Sequence, residues 1–332
     1  MKLKELGEFG LIDKIKAQFS EAIPENIEGI GDDCAVIHQE GKDSLLITTD
    51  LLVENVHFLR NDITPFELGY KSLAVNISDV AAMGGTPRYA FLSIALPSDL
   101  EGPWLKSFFD GIYELGKKHG ILLLGGDTTK SLQGVVINVA LIGEAPAQQI
   151  KRRSQARVGD LICLTDTIGD SGAGLDVILK KRTRGPLEDR LVKRHYLPRP
   201  HVEEGNWLSQ RNAINAMMDV SDGIDSDLKR IMEQSSCGVK IDLEMLPLSQ
   251  DLKLYSQKNN LSPLELAASS GEDYCLLFTL KPELLESTLE SFEKEFFRSF
   301  FVIGEVIEDK KFEYYFQGQV THLKKIGFDH FK

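Results

Sequence analysis

The residues best suited to chemistry in this chain are aspartates at the edges of strand-like runs. Asp32 and Asp33 precede one such run in Gly29-Ile30-Gly31-Asp32-Asp33, and Asp50 ends the next in Thr48-Thr49-Asp50. Asp127 follows another in Gly125-Gly126-Asp127-Thr128-Thr129, while Asp219 and Asp222 close a fourth in Asp219-Val220-Ser221-Asp222-Gly223. Aspartate often serves turns and caps the free N–H groups of helix starts. That reading suits Asp32 and competes for Asp222. It does not suit Asp79, which sits mid-helix in Ala74-Val75-Asn76-Ile77-Ser78-Asp79-Val80-Ala81-Ala82, because a charge among apolar neighbours needs a partner. Together the carboxylates predict hard cations held by oxygen, for which magnesium is the natural choice. Asp225 and Asp227 lack calcium-loop spacing and read as solvated positions on the helix that follows.

Glycines at 31, 84, 85, 125, 126, 169, 172 and 174 fall at element junctions, where backbone can approach a phosphate closely. There is no GxxxxGK[ST] sequence and no protein-kinase motif set. The stretch Gly169-Asp170-Ser171-Gly172-Ala173-Gly174 fits both a plain strand-to-helix turn and a ligand contact. No histidine pair has metal-ligand spacing, and Cys34, Cys163, Cys237 and Cys275 form no CxxC pair, so they read as buried thiols. The net charge of −12 argues against nucleic acid as a partner. No run is apolar and long enough to span a membrane, and the first residues lack a signal-like apolar core. These features predict a soluble, cytoplasmic protein.

The elements that must position these side chains form two α/β domains, residues 1–145 and 146–332. Helical spacing of Ile12, Ile15 and Phe19 predicts an amphipathic first helix. Strands are expected over residues 34–37, 45–49, 90–96, 121–124 and 135–142, with helices over 65–83 and 103–119. Residues 144–159 have no apolar period and read as the interdomain connection. Beyond them, strands over 161–165, 216–220, 238–243 and 274–280 alternate with helices over 173–181, 201–210, 223–234, 263–269 and 282–297.

Six pieces in order, residues 29–33, 48–50, 76–79, 125–129, 219–223 and Ser-Gly-Glu-Asp-Tyr at 270–274, resemble the thiamine-monophosphate kinase family, as does the ending Gly-Phe-Asp-His-Phe at 327–331. The resemblance covers essentially the whole chain. It implies the two-domain α/β (α+β) fold of the aminoimidazole ribonucleotide synthetase and selenophosphate synthetase superfamily. The N-terminal sheet domain would bind ATP and magnesium and form a homodimer, and the C-terminal domain would complete the substrate site. It further implies that Asp33, Thr48, Thr49, Asp50, Asp79, Asp127 and Asp219 are magnesium ligands, with Asp222 holding a further ion. Gly126, Asp127, Arg153 and Ser221 match ATP-contacting positions. His57, Glu272 and Phe328 match positions that contact thiamine phosphate. Thr48 stands where many relatives have serine, and Phe328 where they often have tyrosine or tryptophan. Relatives that make selenophosphate carry a reactive cysteine near the N-terminus, whereas residues 1–31 contain none. Other ATP-using synthetases of the superfamily, and ATP-binding maturation scaffolds that end in cysteine, are the competing readings; this chain ends Asp329-His330-Phe331-Lys332.

The implied chemistry agrees with the residues. ATP and a phosphate monoester bring roughly six negative charges to one site. Aspartates can stand beside them only with divalent cations between. The attacking phosphate oxygen is already ionised, so no catalytic base is expected, and alignment alone can be worth about 7–11 kcal/mol of barrier.

Overall fold

A computed structural model describes residues 3–323. Six strands form the first sheet: β1 (Ile27–Glu28), β2 (Ala35–Ile37), β3 (Ser44–Val53), β4 (Thr86–Leu96), β5 (Leu122–Lys130) and β6 (Val136–Ala145). Their order is β1-β2-β3-β6-β4-β5, and β4–β5 is the one parallel pair. The second sheet holds β7 (Leu161–Leu164), β8 (Ile214–Asp219), β9 (Gly238–Asp242), β10 (Leu276–Leu280), β11 (Phe301–Ile307), β12 (Phe312–Phe316) and β13 (Gln319–Thr321). It runs β13-β12-β9-β11-β7-β10-β8, with β12–β9 parallel and the other pairs antiparallel. The described helices are α1 (Leu3–Phe19), α2 (Pro65–Ala82), α3 (Gly102–His119), α4 (Asp170–Leu179), α5 (Pro186–Tyr196), α6 (Val202–Ser209), α7 (Ile224–Ser235), α8 (Gln250–Asn259), α9 (Pro263–Ser269) and α10 (Leu285–Phe296). The fold is mixed α/β, as expected. No helix among the described residues is long and apolar enough to cross a membrane.

Helix α2 organises the functional region. It starts at a capping box in which Thr64 Oγ1 accepts from Glu67 N at 3.2 Å and Glu67 Oε2 accepts from Thr64 N at 2.9 Å, with Pro65 at its first position. Most of it from Leu68 to Ala82 is buried, because it packs on β3 and β6 of the first sheet, on α3, and on α6 and β8 of the second half. The α2–α3 approach is close: a Cβ at Gly69 would lie 1.9 Å from the Phe108 carbonyl oxygen. One apolar core runs through both halves, from Leu46, Leu73 and Ile137 to Leu164, Met218 and Leu277.

Three expectations change. The first helix does not bury its apolar stripe, since Ile15 and Phe19 are exposed, and Gly7 (φ 69°, ψ 177°) breaks its path. Strands β3 and β5 run further than their apolar residues suggested. Asp50 and Asp127 therefore lie within strands rather than after them, because ladder pairing with β6 and β4 carries the polar residues along. Helices α5 and α8 and strands β11 to β13 had no counterpart in the sequence reading.

Candidate functional site

The carboxylates gather at the junction of the two sheets. Asp33 sits in the loop before β2, Asp79 near the C-terminal end of α2, and Asp219 at the end of β8. Each offers an oxygen within 4.8 Å of the others. Thr48 Oγ1 donates to Asp79 Oδ2 at 2.5 Å, and Ser78 Oγ donates to Asp219 Oδ2 at 2.5 Å, tying α2 to both sheets. These bonds are too few for the charge present: Asp33 Oδ2 and Asp219 Oδ1 are buried with no hydrogen-bond partner. Burial, then neighbouring carboxylates, pushes Asp219 up to about 8, Asp32 up to about 7 and Asp50 up to about 6, and drives Asp79 well above the usual carboxylate range.

Arg153 is the cation facing this cluster. It is 8% exposed, and its Nη2 donates to Asp33 while Nε lies 3.8 Å from Asp32. Burial opposes its charge, but Asp33, Asp32 and Asp219 hold the guanidinium firmly protonated. A solvated linker arginine is therefore not what the structure contains. Asp32 does serve its turn, accepting from Asp33 N at 3.1 Å and from Arg153 N at 3.2 Å. Asp222 caps nothing at the start of α7; it accepts from Arg230 at 2.8 Å.

One correction concerns the helix after Asp222. Asp225 and Asp227 are buried, not solvated, because the first turn of α7 folds into the junction. Asp227 Oδ1 accepts from Asp222 N at 3.4 Å and its Oδ2 has no partner. Burial, then Asp222 and Asp219, raises its carboxyl well above the usual range.

A cleft of about 440 Å³ opens beside the cluster. Asp50, Asp79, Ser221 and Asp222 line it together with His57 and Glu272, so six of the expected site residues share one cavity. His57 Nδ1 accepts from Val53 N at 3.0 Å. Glu272 sits at φ 61°, an uncommon left-handed position for a residue with a side chain, fixed by its N–H bond to Ser221 O at 2.7 Å. Burial raises its pKa, but the Lys71 ammonium outweighs that and holds it below the usual range. Asn76, between the motif positions on α2, accepts from Asp50 N at 3.1 Å and so pins strand to helix.

Other expected residues lie elsewhere. Thr49 points to the opposite face of β3 from Thr48, as strand alternation requires, and accepts from Asn138 Nδ2 at 2.8 Å. Gly126 and Asp127 lie on β5, the exposed outer strand of the first sheet. Gly126, at φ 147°, has room for no side chain, since a Cβ would fall 1.7 Å from Leu92 O. Phe328 and the ending that contains it lie outside the described residues. At residues 169–174 both readings keep support: the Asp273 carboxylate accepts from Gly169 N at 2.7 Å and Ser171 N at 3.3 Å, as a turn requires, while Gly172 lines the cleft.

Sequence reasoning assigned no role to Lys71, His195, Ser78, Asn76 or Asp227. Ser78 and Asn76 stood inside a motif already singled out, and the missing signal was helical phase: Ser72, Asn76 and Asp79 recur at helical spacing on a helix buried all round.

Residues 31–145 match the family described as AIR synthase related protein, N-terminal domain, and residues 157–317 match its C-terminal domain. Among curated proteins, the chain is 39% identical to the thiamine-monophosphate kinase of Aquifex aeolicus over 95% of this chain and 100% of that one. It is 38% identical to the thiamine-monophosphate kinase of Escherichia coli over 98% of each. The solved structure of AaThiL complexed with AMPPCP and TMP superposes with a TM-score of 0.86 at 36% identity, covering 99% of each chain.

Proposed function

The chain belongs to the thiamine-monophosphate kinase family, and from that premise we propose that it transfers the γ-phosphoryl group of ATP to thiamine monophosphate, forming thiamine diphosphate and ADP. One observation carries the reading: Asp79 belongs to the cluster in which Asp33 and Asp219 hold orphaned oxygens and also lines the cleft shared by Glu272 and His57, so a cation site and an acceptor site adjoin.

The donor set fits magnesium. It consists of carboxylate oxygens with threonine and serine hydroxyls alongside. Magnesium prefers such hard oxygen donors to a soft thiol, which leaves the nearby Cys34 outside the donor set. We assign Asp33, Asp79 and Asp219 to hold the cations, with Thr48, Asp50 and Asp222 beside them. Thr49 could contribute only through its backbone. Bound there, magnesium would neutralise phosphate charge and withdraw electrons from the transferring phosphorus.

The chain's own residues align the reaction. Arg153 offers a forked donor to phosphate oxygens. Ser221 supplies a hydroxyl at the cleft, and Gly126 and Asp127 on β5 are the further positions we assign to ATP. His57 and Glu272 face the acceptor. Its phosphate oxygen forms the new bond to the γ-phosphorus, and the bond to the β–γ bridging oxygen breaks with its electron pair leaving on ADP. No protein group need remove a proton, because the attacking oxygen is already ionised.

We also read the chain as two domains meeting near residue 145, and as a homodimer. The outer strand β5 exposes Leu122, Leu123 and Leu124 at 58%, 49% and 56% beside Asp127, an edge that a second copy would cover. Four free, buried cysteines suit a reducing, cytoplasmic setting. The test is chromatography of products after incubation with ATP and thiamine monophosphate, with magnesium or with EDTA, and with free thiamine as the competing acceptor. Magnesium-dependent thiamine diphosphate with matching ADP is expected. Product from free thiamine alone would overturn the acceptor assignment, and ATP binding without product would favour a scaffold.

A further inference from the structure

Against Glu272 lies a buried polar group that the reaction as described does not use, and one of its members, His195, also lines the cleft. Lys71, on α2, is completely buried, yet its ammonium has nowhere to reach solvent. A charge so placed requires compensation. Lys71 Nζ lies 3.0 Å from Glu272 Oε2 and 3.4 Å from Nε2 of His195, itself buried on α5. His195 Nδ1 lies 3.2 Å from Glu272 Oε2 and 3.0 Å from Ser171 Oγ on α4. Two helices, α2 and α5, thus meet the 270–274 loop at a single carboxylate oxygen, with α4 bonded to His195 behind them.

The proton arrangement follows from the contacts. Burial, reinforced by the Lys71 ammonium, pushes His195 down to about 3, so the imidazole is neutral. An ammonium can only donate, so His195 Nε2 accepts from Lys71 and Nδ1 carries the ring proton. That proton then points at Ser171 Oγ, with Glu272 Oε2 lying 3.2 Å from the same nitrogen. Glu272 Oε2 faces both the ammonium and the imidazole, while Oε1 takes part in neither contact. Because Lys71 belongs to the first half of the chain and Glu272 to the second, the pair also fixes one wall of the cleft against the other. Glu272 holds its strained left-handed backbone within this frame.

We propose that Lys71 and His195 are positioning residues that lock Glu272 as an ionised, oriented acceptor at the cleft, so that its remaining oxygen reads the amino-bearing heteroaromatic ring of the phosphate acceptor. The assignment rests on the kinase reading above and deepens it. An acceptor of this kind must offer an N–H to a carboxylate, and a fixed carboxylate rejects rings that present only acceptors. The pair acts on acceptor affinity, not on ATP or the transfer step.

Steady-state kinetics of the full chain with ATP and thiamine monophosphate test this. Wild-type turnover is established first; its absence would sink the kinase reading, and this assignment with it. Lys71→Met is expected to raise KM for thiamine monophosphate about tenfold, with kcat and KM for ATP within about threefold, the loss of one charge-assisted hydrogen bond. Glu272→Gln should produce the same split. The double variant Lys71→Met/Glu272→Gln should be little worse than either single one, because the residues act as a unit. Should Lys71→Met fail to fold, His195→Asn and the uncharged double variant carry the test with the same expected KM rise. An unchanged acceptor KM in an active, folded variant, an equal rise in both KM values, or additive effects would overturn the assignment and leave the kinase reading standing.

Discussion

Two groups of buried aspartate in this molecule follow opposite rules. Asp160, 3% exposed beside β7, accepts from Arg157 N at 2.9 Å, from Asn215 Nδ2 at 2.9 and 3.0 Å, and from Thr279 Oγ1 at 3.0 Å. It is sealed by donors and faces no other carboxylate within its bonding shell. At the sheet junction, Asp33, Asp79 and Asp219 face one another, and two of their oxygens are orphaned. The first arrangement completes a fold. The second is costly in isolation and makes sense only with positive charge arriving from outside. Burial alone therefore does not separate structural from functional acids; the identity of their donors does.

Removing charge should act in opposite senses at the two places. Asp79→Asn is expected to lower turnover about a hundredfold, as loss of a preorganised electrostatic group does. The protein should stay folded, and its melting temperature in EDTA should rise because an acid whose ionised form is disfavoured by burial and neighbouring carboxylates is gone. Near-normal kinetics at saturating magnesium would erase the distinction between the two groups. Asp160→Asn turns an acceptor into a donor facing donors, and should cost about 2 kcal/mol of stability by denaturant titration. Its turnover per folded molecule should be unchanged.

The pH dependence of stability in EDTA sharpens the same comparison. In the folded chain Asp50, Asp32 and Asp219 titrate near 6, 7 and 8, above their ordinary value of 3.8. The folded state therefore holds more protons than the unfolded state between about pH 4 and 8, and stability must fall as pH rises through that window. Magnesium should flatten the fall. A melting temperature that climbs with pH in EDTA would contradict the junction's electrostatics. The smallest effect is expected for Asp222→Asn. Its half-exposed carboxylate is paired with Arg230, and turnover should drop about fivefold, the scale of one partly solvated contact.

Much of the frame was legible in the sequence. The bounds of α2 and α9 came from proline near the start and small or polar residues at the end, and Asp79 stood out because mid-helix charge has no local excuse. What escaped was set by long-range pairing. The polar run at 125–130 is strand only because β4 pairs with it, and α5, rich in charged residues, hides the buried face that carries His195. Asp225 and Asp227 looked solvated because acids are favoured in a helix's first turn. The packing that buries them joins residues far apart in sequence. The Lys71–Glu272 pair spans 201 positions, a separation at which no spacing rule operates.

The most direct test of the account is equilibrium binding of manganese(II), a spectroscopic stand-in for magnesium, to the full chain in the presence of a non-hydrolysable ATP analogue. Saturable binding that weakens more than about tenfold in Asp79→Asn but not in a folded Asp160 variant is the predicted result. No saturable binding, or equal affinity in wild type and Asp79→Asn, would contradict the claim that the converging aspartates are a cation site.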